Sequence, residues 1–351
     1  MSEATFQSHT AFLEAFTGYP PDAQPDSSQH NRAFRPDTAF LHAFLESQSD
    51  VRPNQYRRER AFRPHVAPPQ LLSRPLSCKA ERGNCGTQIR AQQSGASHDT
   101  CHVTFVGHAT VYVEMDGVAL ITDPLLRDRV WHLRRDTARA PDDDLTTQDI
   151  SAVLLSHLHM DHADMPSLRR ISPNTPMIAP QGTGSYLRTR LSHRVHTMRA
   201  WQSCMVGGVE VIAVPAVHSG TLAAFSSLAS CAGFIIRGSS TIYFAGDTSL
   251  FTEMAELGST FDIDLALLPV WGYGPTLRGD HMTPYDAAQA LTLLQPRRAL
   301  PIHWGTFRPL GKMWSRMNYF TDPPYTFANY AKKTAPNTKV HILQPGESMT
   351  L

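Results

Sequence analysis

Ser156-His157-Leu158-His159-Met160-Asp161-His162-Ala163-Asp164 places four side chains able to ligate a metal within six residues, in the order His-x-His-x-Asp-His. The stretch follows Ser151-Ala152-Val153-Leu154-Leu155, a short apolar, β-branched run that reads as a buried strand. In extended chain, residues two apart point the same way, so His157 and His159 can grip one ion. The chain must then turn, which throws Asp161 and His162 to the other side, towards a second ion. Neutral imidazoles and carboxylates suit zinc, and an all-nitrogen-and-oxygen set also admits manganese or iron. A solvated polar loop has no reason for this order, so the stretch reads as a metal site.

The same relation recurs along the chain. His102 to Val106, Val111 to Met115 and Val118 to Thr122 read as strands, joined by the turn Gly107-His108-Ala109-Thr110 and a hairpin at Asp116-Gly117. The third of these strands ends at Asp123-Pro124. Helices are expected over Asp164–Ile171 and Gly182–Leu191, with a strand at Met177-Ile178-Ala179 between them. Glu210 to Val214 reads as a strand with His218 just past it, and Thr241 to Ala245 as one with Asp247 just past it. Ser249 is expected to cap a helix that Gly258 stops. Asp264 to Leu268 is a further strand, opening into Trp271-Gly272-Tyr273-Gly274. Thr283-Pro284 starts a helix that Pro296 ends. Ala299 to Ile302 is a last strand, followed at once by His303. His157, His218, Asp247 and His303 thus all sit just beyond strand ends. Strand ends along one edge of a sheet are neighbours in space, and sites gather there in layered αβ folds.

Residues 1–100 differ in kind, being rich in Pro, Gln, Ser and Arg. Thr10-Ala11-Phe12-Leu13 recurs as Thr38-Ala39-Phe40-Leu41, and Arg32-Ala33-Phe34-Arg35-Pro36 as Arg60-Ala61-Phe62-Arg63-Pro64, both offset by 28 residues, so one duplication explains both. The expectation is a largely disordered extension with two short amphipathic segments, and an ordered domain over 101–351. With 41% hydrophobic and 18% charged residues and a net charge of +1, no overall field recruits nucleic acid or acidic membranes. Residues 101–351 carry no basic, aromatic-interleaved stripe, and no apolar run approaches the roughly 20 residues that span a bilayer. The N-terminus lacks a signal segment, and five scattered cysteines read as free thiols, so a cytoplasmic chain is expected.

On these motifs the chain resembles the metallo-β-lactamase-fold hydrolases over about residues 101–350. Within them it is similar to the branch of the N-acyl-phosphatidylethanolamine phospholipase D and ascorbate-phosphate lactonase types. That finer match rests on Gly107-His108-Ala109-Thr110, Thr122-Asp123-Pro124, Phe244-Ala245-Gly246-Asp247-Thr248 and Ile302-His303-Trp304-Gly305-Thr306. The resemblance implies an αββα sandwich, two sheets with helices outside, in the α/β (α+β) class. It also implies a binuclear centre: His157, His159 and His218 on one metal, Asp161, His162 and His303 on the other, and Asp247 bridging. The chain departs from the phospholipase pattern at Thr221 to Ser227, which carries no tryptophan.

A water shared by two such ions has a pKa lowered towards 7, and a hydroxide bridging them is the expected nucleophile. Asp161 can orient it and shuttle its proton. His281, before the Thr283 helix, can act as donor or general acid. His108 and Asp123 are expected to orient ligand imidazoles or line the floor of the site. Trp271 and Tyr273 can wall a pocket, whereas Trp304 is expected to pack. The favoured activity is hydrolysis of a phosphodiester, lactone or amide/ester bond in a small-molecule or lipid-like substrate, with an oligomer compatible. The rival readings are an iron-binding redox use of the same fold, and a non-catalytic scaffold with residues 1–100 binding a partner.

Overall fold

A computed structural model describes residues 100–130, 133–136, 150–218, 230–271, 280–309 and 320–351. The duplicated segments, Cys78 and Cys85, Thr221 to Ser227 and Tyr273 lie outside the described residues.

The described chain starts with β1 (His102–Gly107), β2 (Thr110–Met115) and β3 (Val118–Thr122), then the short β4 (Arg129–Val130) and β5 (Leu133–Arg135). Next come β6 (Ala152–Leu154), helix α1 (Met165–Leu168), β7 (Met177–Pro180), α2 (Gly184–Arg188) and β8 (Val195–Met198). The strands β9 (Ser203–Val206), β10 (Val209–Val214), β11 (Gly233–Arg237) and β12 (Thr241–Phe244) precede α3 (Met254–Thr260). After β13 (Leu265–Pro269) come α4 (Pro284–Leu294), β14 (Arg298–Ile302), β15 (Phe307–Pro309), α5 (Pro323–Thr334), β16 (Lys339–Val340) and β17 (Ser348–Thr350).

These strands form two seven-stranded sheets, in the orders β17-β1-β2-β3-β6-β7-β8 and β16-β14-β13-β12-β11-β10-β9, with a small sheet β15-β5-β4 beside them. Each large sheet changes from antiparallel to parallel partway across: β1, β2 and β3 are antiparallel but β3, β6, β7 and β8 are parallel. In the second sheet β12, β13, β14 and β16 are the parallel members. Parallel neighbours release their C-terminal ends on one edge, which is where Asp123 and His157, and likewise Asp247 and His303, leave their strands.

Side-chain alternation builds the layers. Ala152 and Leu154 of β6 join Phe105, Val113 and Leu120 in the core shared with Val211, Phe234, Ile236 and Leu267 of the second sheet. Val153, one residue out of phase, joins Ile121 and Met177 in a separate cluster under Leu168, Ile171 and Leu187 of the outer layer. On the other side α3, α4 and α5 cover the second sheet through Leu257, Leu291 and Phe327. The architecture is therefore the expected αββα sandwich. Among the described residues no helix is long and apolar enough to cross a membrane.

The Asp116-Gly117 hairpin forms as read, with both residues at positive φ (53° and 73°). The helix at Thr283 also forms, with a capping box between Thr283 and Asp286. The helix expected to start at Ser249 instead starts at Met254 after Glu253, without a side-chain cap. Ser249 bonds through its N–H (2.8 Å) and Oγ (3.2 Å) to the carbonyl of Val217, tying the Asp247 and His218 loops together. Gly258 lies inside α3 rather than stopping it, because a Cβ there would sit 2.2 Å from the backbone oxygen of Leu293 in α4. The glycine permits close helix packing. Two other helices are shorter than read: α1 stops at Leu168 and α2 at Arg188.

Candidate metal centre

Loops at the sheet edge bring the sequence-selected side chains together. His157, two residues past Leu155, is fully buried, and its ring centroid lies 4.5 Å from that of His159 and 4.7 Å from that of His218. His218 Nε2 faces His159 Nδ1 at 3.2 Å. The Asp280 carbonyl lies 2.9 Å from His218 Nδ1 and can only accept, so the His218 proton sits on Nδ1 and its Nε2 lone pair faces the cluster. One group of possible ligand atoms is thus His157, His159 and His218.

A second group is Asp161, His162 and His303 together with His108. His162 Nε2 lies 3.7 Å from Asp161 Oδ2 and 3.0 Å from Asp247 Oδ2, and His303 Nε2 lies 3.8 Å and 3.3 Å from the same two atoms. Asp247 also falls in a donor group with His218 and His281, and so links the two groups. It is also 3.1 Å from His281 Nε2, whose ring lies against that of His218 at 4.7 Å. Asp247, His162 and His157 are buried, whereas Asp161 retains 34% side-chain exposure and His159, His218 and His281 are half-buried, so the centre opens on one side.

His108 and Asp123 support this constellation. His108 Nε2 reaches Asp161 Oδ2 at 3.1 Å, and its ring lies 4.1 Å from that of His303. The two turns interlock: His303 N–H donates to the His108 carbonyl (2.7 Å), and His108 N–H to Thr306 Oγ1 (2.6 Å). Both residues adopt left-handed backbone, with φ of 56° and 58°. Asp123 Oδ2 lies 2.7 Å from His162 Nδ1. Sequence reading passed over Ser156, whose Oγ is 2.9 Å from His157 Nδ1 and whose only signal was adjacency to that histidine. Trp304 packs on Phe105 with its Nε1 donating to the Pro301 carbonyl (2.9 Å), and Trp271 stacks on Phe320.

Electrostatics divide the imidazoles. Burial lowers His157 well below the ordinary histidine value, and lowers His159 and, to about 4, His218. Burial also opposes charge on His162 and His303, but the carboxylates of Asp247 and Asp161 outweigh it, holding His162 well above its ordinary value and His303 up to about 9. Burial raises Asp161 and Asp247 in turn, yet the neighbouring imidazoliums win and leave both carboxyls well below the usual range.

Buried polar atoms are seldom left unpaired. Here His157 Nε2, His162 Nε2, His303 Nε2 and Asp247 Oδ1 are buried without a hydrogen bond. A ring of such nitrogen and oxygen donors fits a borderline divalent cation. Among the described residues Cys101, Cys204 and Cys231 add no sulfur to these groups.

Residues 120–304, more than half of the chain, match the family described as the beta-lactamase superfamily domain. A UPF0173 metal-dependent hydrolase of Pyrococcus furiosus is 31% identical over 252 residues, covering 71% of this chain and 99% of the relative. One from Exiguobacterium is 33% identical over 215 residues, covering 60% of this chain and 88% of the relative. The solved structure of Igni18, a metallo hydrolase from Ignicoccus hospitalis, superposes with a TM-score of 0.57 at 24% identity, over 72% of this chain and 98% of that one. It shares the fold. The chain belongs to the UPF0173 family of metal-dependent hydrolases, enzymes of the beta-lactamase superfamily.

Proposed function

We propose that the centre holds two divalent cations, zinc in the first instance, and hydrolyses a phosphodiester, lactone or amide/ester bond of a small-molecule or lipid-like substrate. His157, His159 and His218 would hold the first cation, and Asp161, His162 and His303 the second, with Asp247 shared. The observation that carries this reading is the pair of donor groups around one buried carboxylate, with four buried donor atoms among them that make no hydrogen bond. When bound, such a cation pair supplies an acidified water as nucleophile and polarises the oxygen of the bond under attack.

The chain's own residues do the rest. Asp161, the most exposed of the two carboxylates, faces the open side, where it can orient a water and accept its proton. His108 fixes that carboxylate from behind at 3.1 Å. His281 stands on the opposite flank with Nε2 at Asp247, placed to pass a proton to a leaving group. Met160 and Val217, next in the chain to Asp161 and to His218, are exposed, which supports an apolar portion in the substrate. Residues 101–351 make up the catalytic unit in this reading, with 1–100 appended, and cysteines outside disulfides at Cys101, Cys204 and Cys231 support a cytoplasmic setting.

Metal analysis of the purified protein, followed by a panel of phosphodiesters, lactones and acyl amides, tests the proposal. Turnover that needs zinc or manganese and collapses in Asp161→Asn with the fold intact is the expected result. Unchanged turnover in that variant contradicts the mechanism, and iron as the native metal turns the reading towards redox chemistry.

A further inference from the structure

Beneath the two donor groups Ser156 and Asp123 join His157 and His162 in one buried network. Asp123 and Ser156 are almost wholly enclosed (0% and 1% exposed). Ser156 N–H donates to Asp123 Oδ1 at 2.7 Å, and Ser156 Oγ lies 2.5 Å from Asp123 Oδ2 and 2.9 Å from His157 Nδ1. The same Oδ2 is 2.7 Å from His162 Nδ1.

An ionised carboxylate only accepts, and a serine hydroxyl has one proton to give. That proton goes to Asp123, so Ser156 Oγ must accept from His157 Nδ1–H. His162 Nδ1–H must likewise donate to Asp123. Both rings are then fixed with hydrogen on Nδ1, and both Nε2 atoms are buried and turned to the centre, His162 Nε2 towards Asp247.

We infer that Ser156 is a positioning residue through which one carboxylate, Asp123, sets the tautomers of His157 and His162 together, one imidazole for each cation. The inference rests on the proposed assignment of His157 to the first cation and His162 to the second. Packing leaves little room beside the Ser156 side chain. Gly246, at φ 61°, brings the Asp247 loop so close that a Cβ on it would lie 2.5 Å from Ser156 Cβ.

The test is a zinc titration of chelator-stripped full-length protein, with two variants and a cobalt(II) spectrum. The wild type should bind two equivalents. In Ser156→Ala one equivalent should weaken about 10–100-fold while the other holds, and the cobalt bands of the weakened site should change. In Asp123→Asn, where an amide N–H₂ replaces the acceptor at Oδ2, both equivalents should weaken. Ser156→Ala binding both as tightly as the wild type, or weakening both alike, overturns the inference. A wild type that fails to bind two equivalents sinks the two-cation reading itself, a separate outcome. Histidine ¹⁵N spectra of the zinc-loaded wild type need no variant: hydrogen on Nδ1 of both His157 and His162 is expected, and a bare Nδ1 on His157 overturns the relay.

Discussion

His108 Nε2 meets Asp161 Oδ2 at 3.1 Å, joining the first β-turn of the fold to the histidine loop across 53 residues of sequence. Asp161 is the carboxylate that looks out of the centre, and without His108 it can rotate towards water. His108→Ala is therefore expected to lower kcat by roughly 10–100-fold with little change in KM, as for loss of a residue supporting a metal ligand. Steady-state kinetics on any substrate the panel yields would check this. An unchanged kcat would mean that Asp161 needs no such support.

The opposite displacements of the imidazoles give a pH prediction. Carboxylate charge outweighs burial at His162, held well above its ordinary value, and at His303, held at about 9, so in the metal-free chain both carry a proton at neutral pH. Their protonated forms stabilise that chain fully below the unfolded value of about 6.5, and the His303 contribution fades as pH rises through about 9. A cation taken up there must displace those protons. His157 and His218 are pushed down by burial and have none to lose. Calorimetric zinc titrations in buffers of different ionisation enthalpy should show one equivalent releasing protons and gaining affinity from neutral pH to about 9. The other should be nearly flat. Two equivalents with the same pH response would contradict the division.

Much of the centre was legible because its ligands follow a rule of position. His157, His218, Asp247 and His303 each lie beyond a short apolar run. Parallel pairing of β3 with β6, of β12 with β13 and of β13 with β14 aligns their ends, and β10, two antiparallel steps from β12, runs the same way as β12. What the sequence hid depends on contacts across the fold. Ser156 matters through Asp123, 33 residues earlier, and a serine before a histidine carries no local mark of that partner. Gly258 looked like a helix terminator because glycine often is one, but its neighbour in space, Leu293, makes it a helix-packing residue. Ser249 had the chemistry of a cap, yet the Val217 carbonyl claims its hydroxyl.

Gly258 yields a stability prediction in which two effects compete. Alanine favours helix over glycine by up to about 1 kcal/mol. Against that, its Cβ would lie 2.2 Å from Leu293 O and 2.8 Å from Leu294 Cα, backbone atoms that cannot swing aside. Overpacking of this kind costs about 1–3 kcal/mol or more, so Gly258→Ala should be destabilising overall. Urea unfolding of the two proteins would measure it, and a stabilised variant would show that α3 and α4 separate freely.

The central claim is that two cations sit on either side of Asp247. Anomalous diffraction from crystals grown with zinc tests it most directly. Two peaks are expected, one within bonding distance of His157, His159 and His218 and one within reach of Asp161, His162 and His303, both touching Asp247. A single peak, or peaks bonded to other residues, would contradict the account.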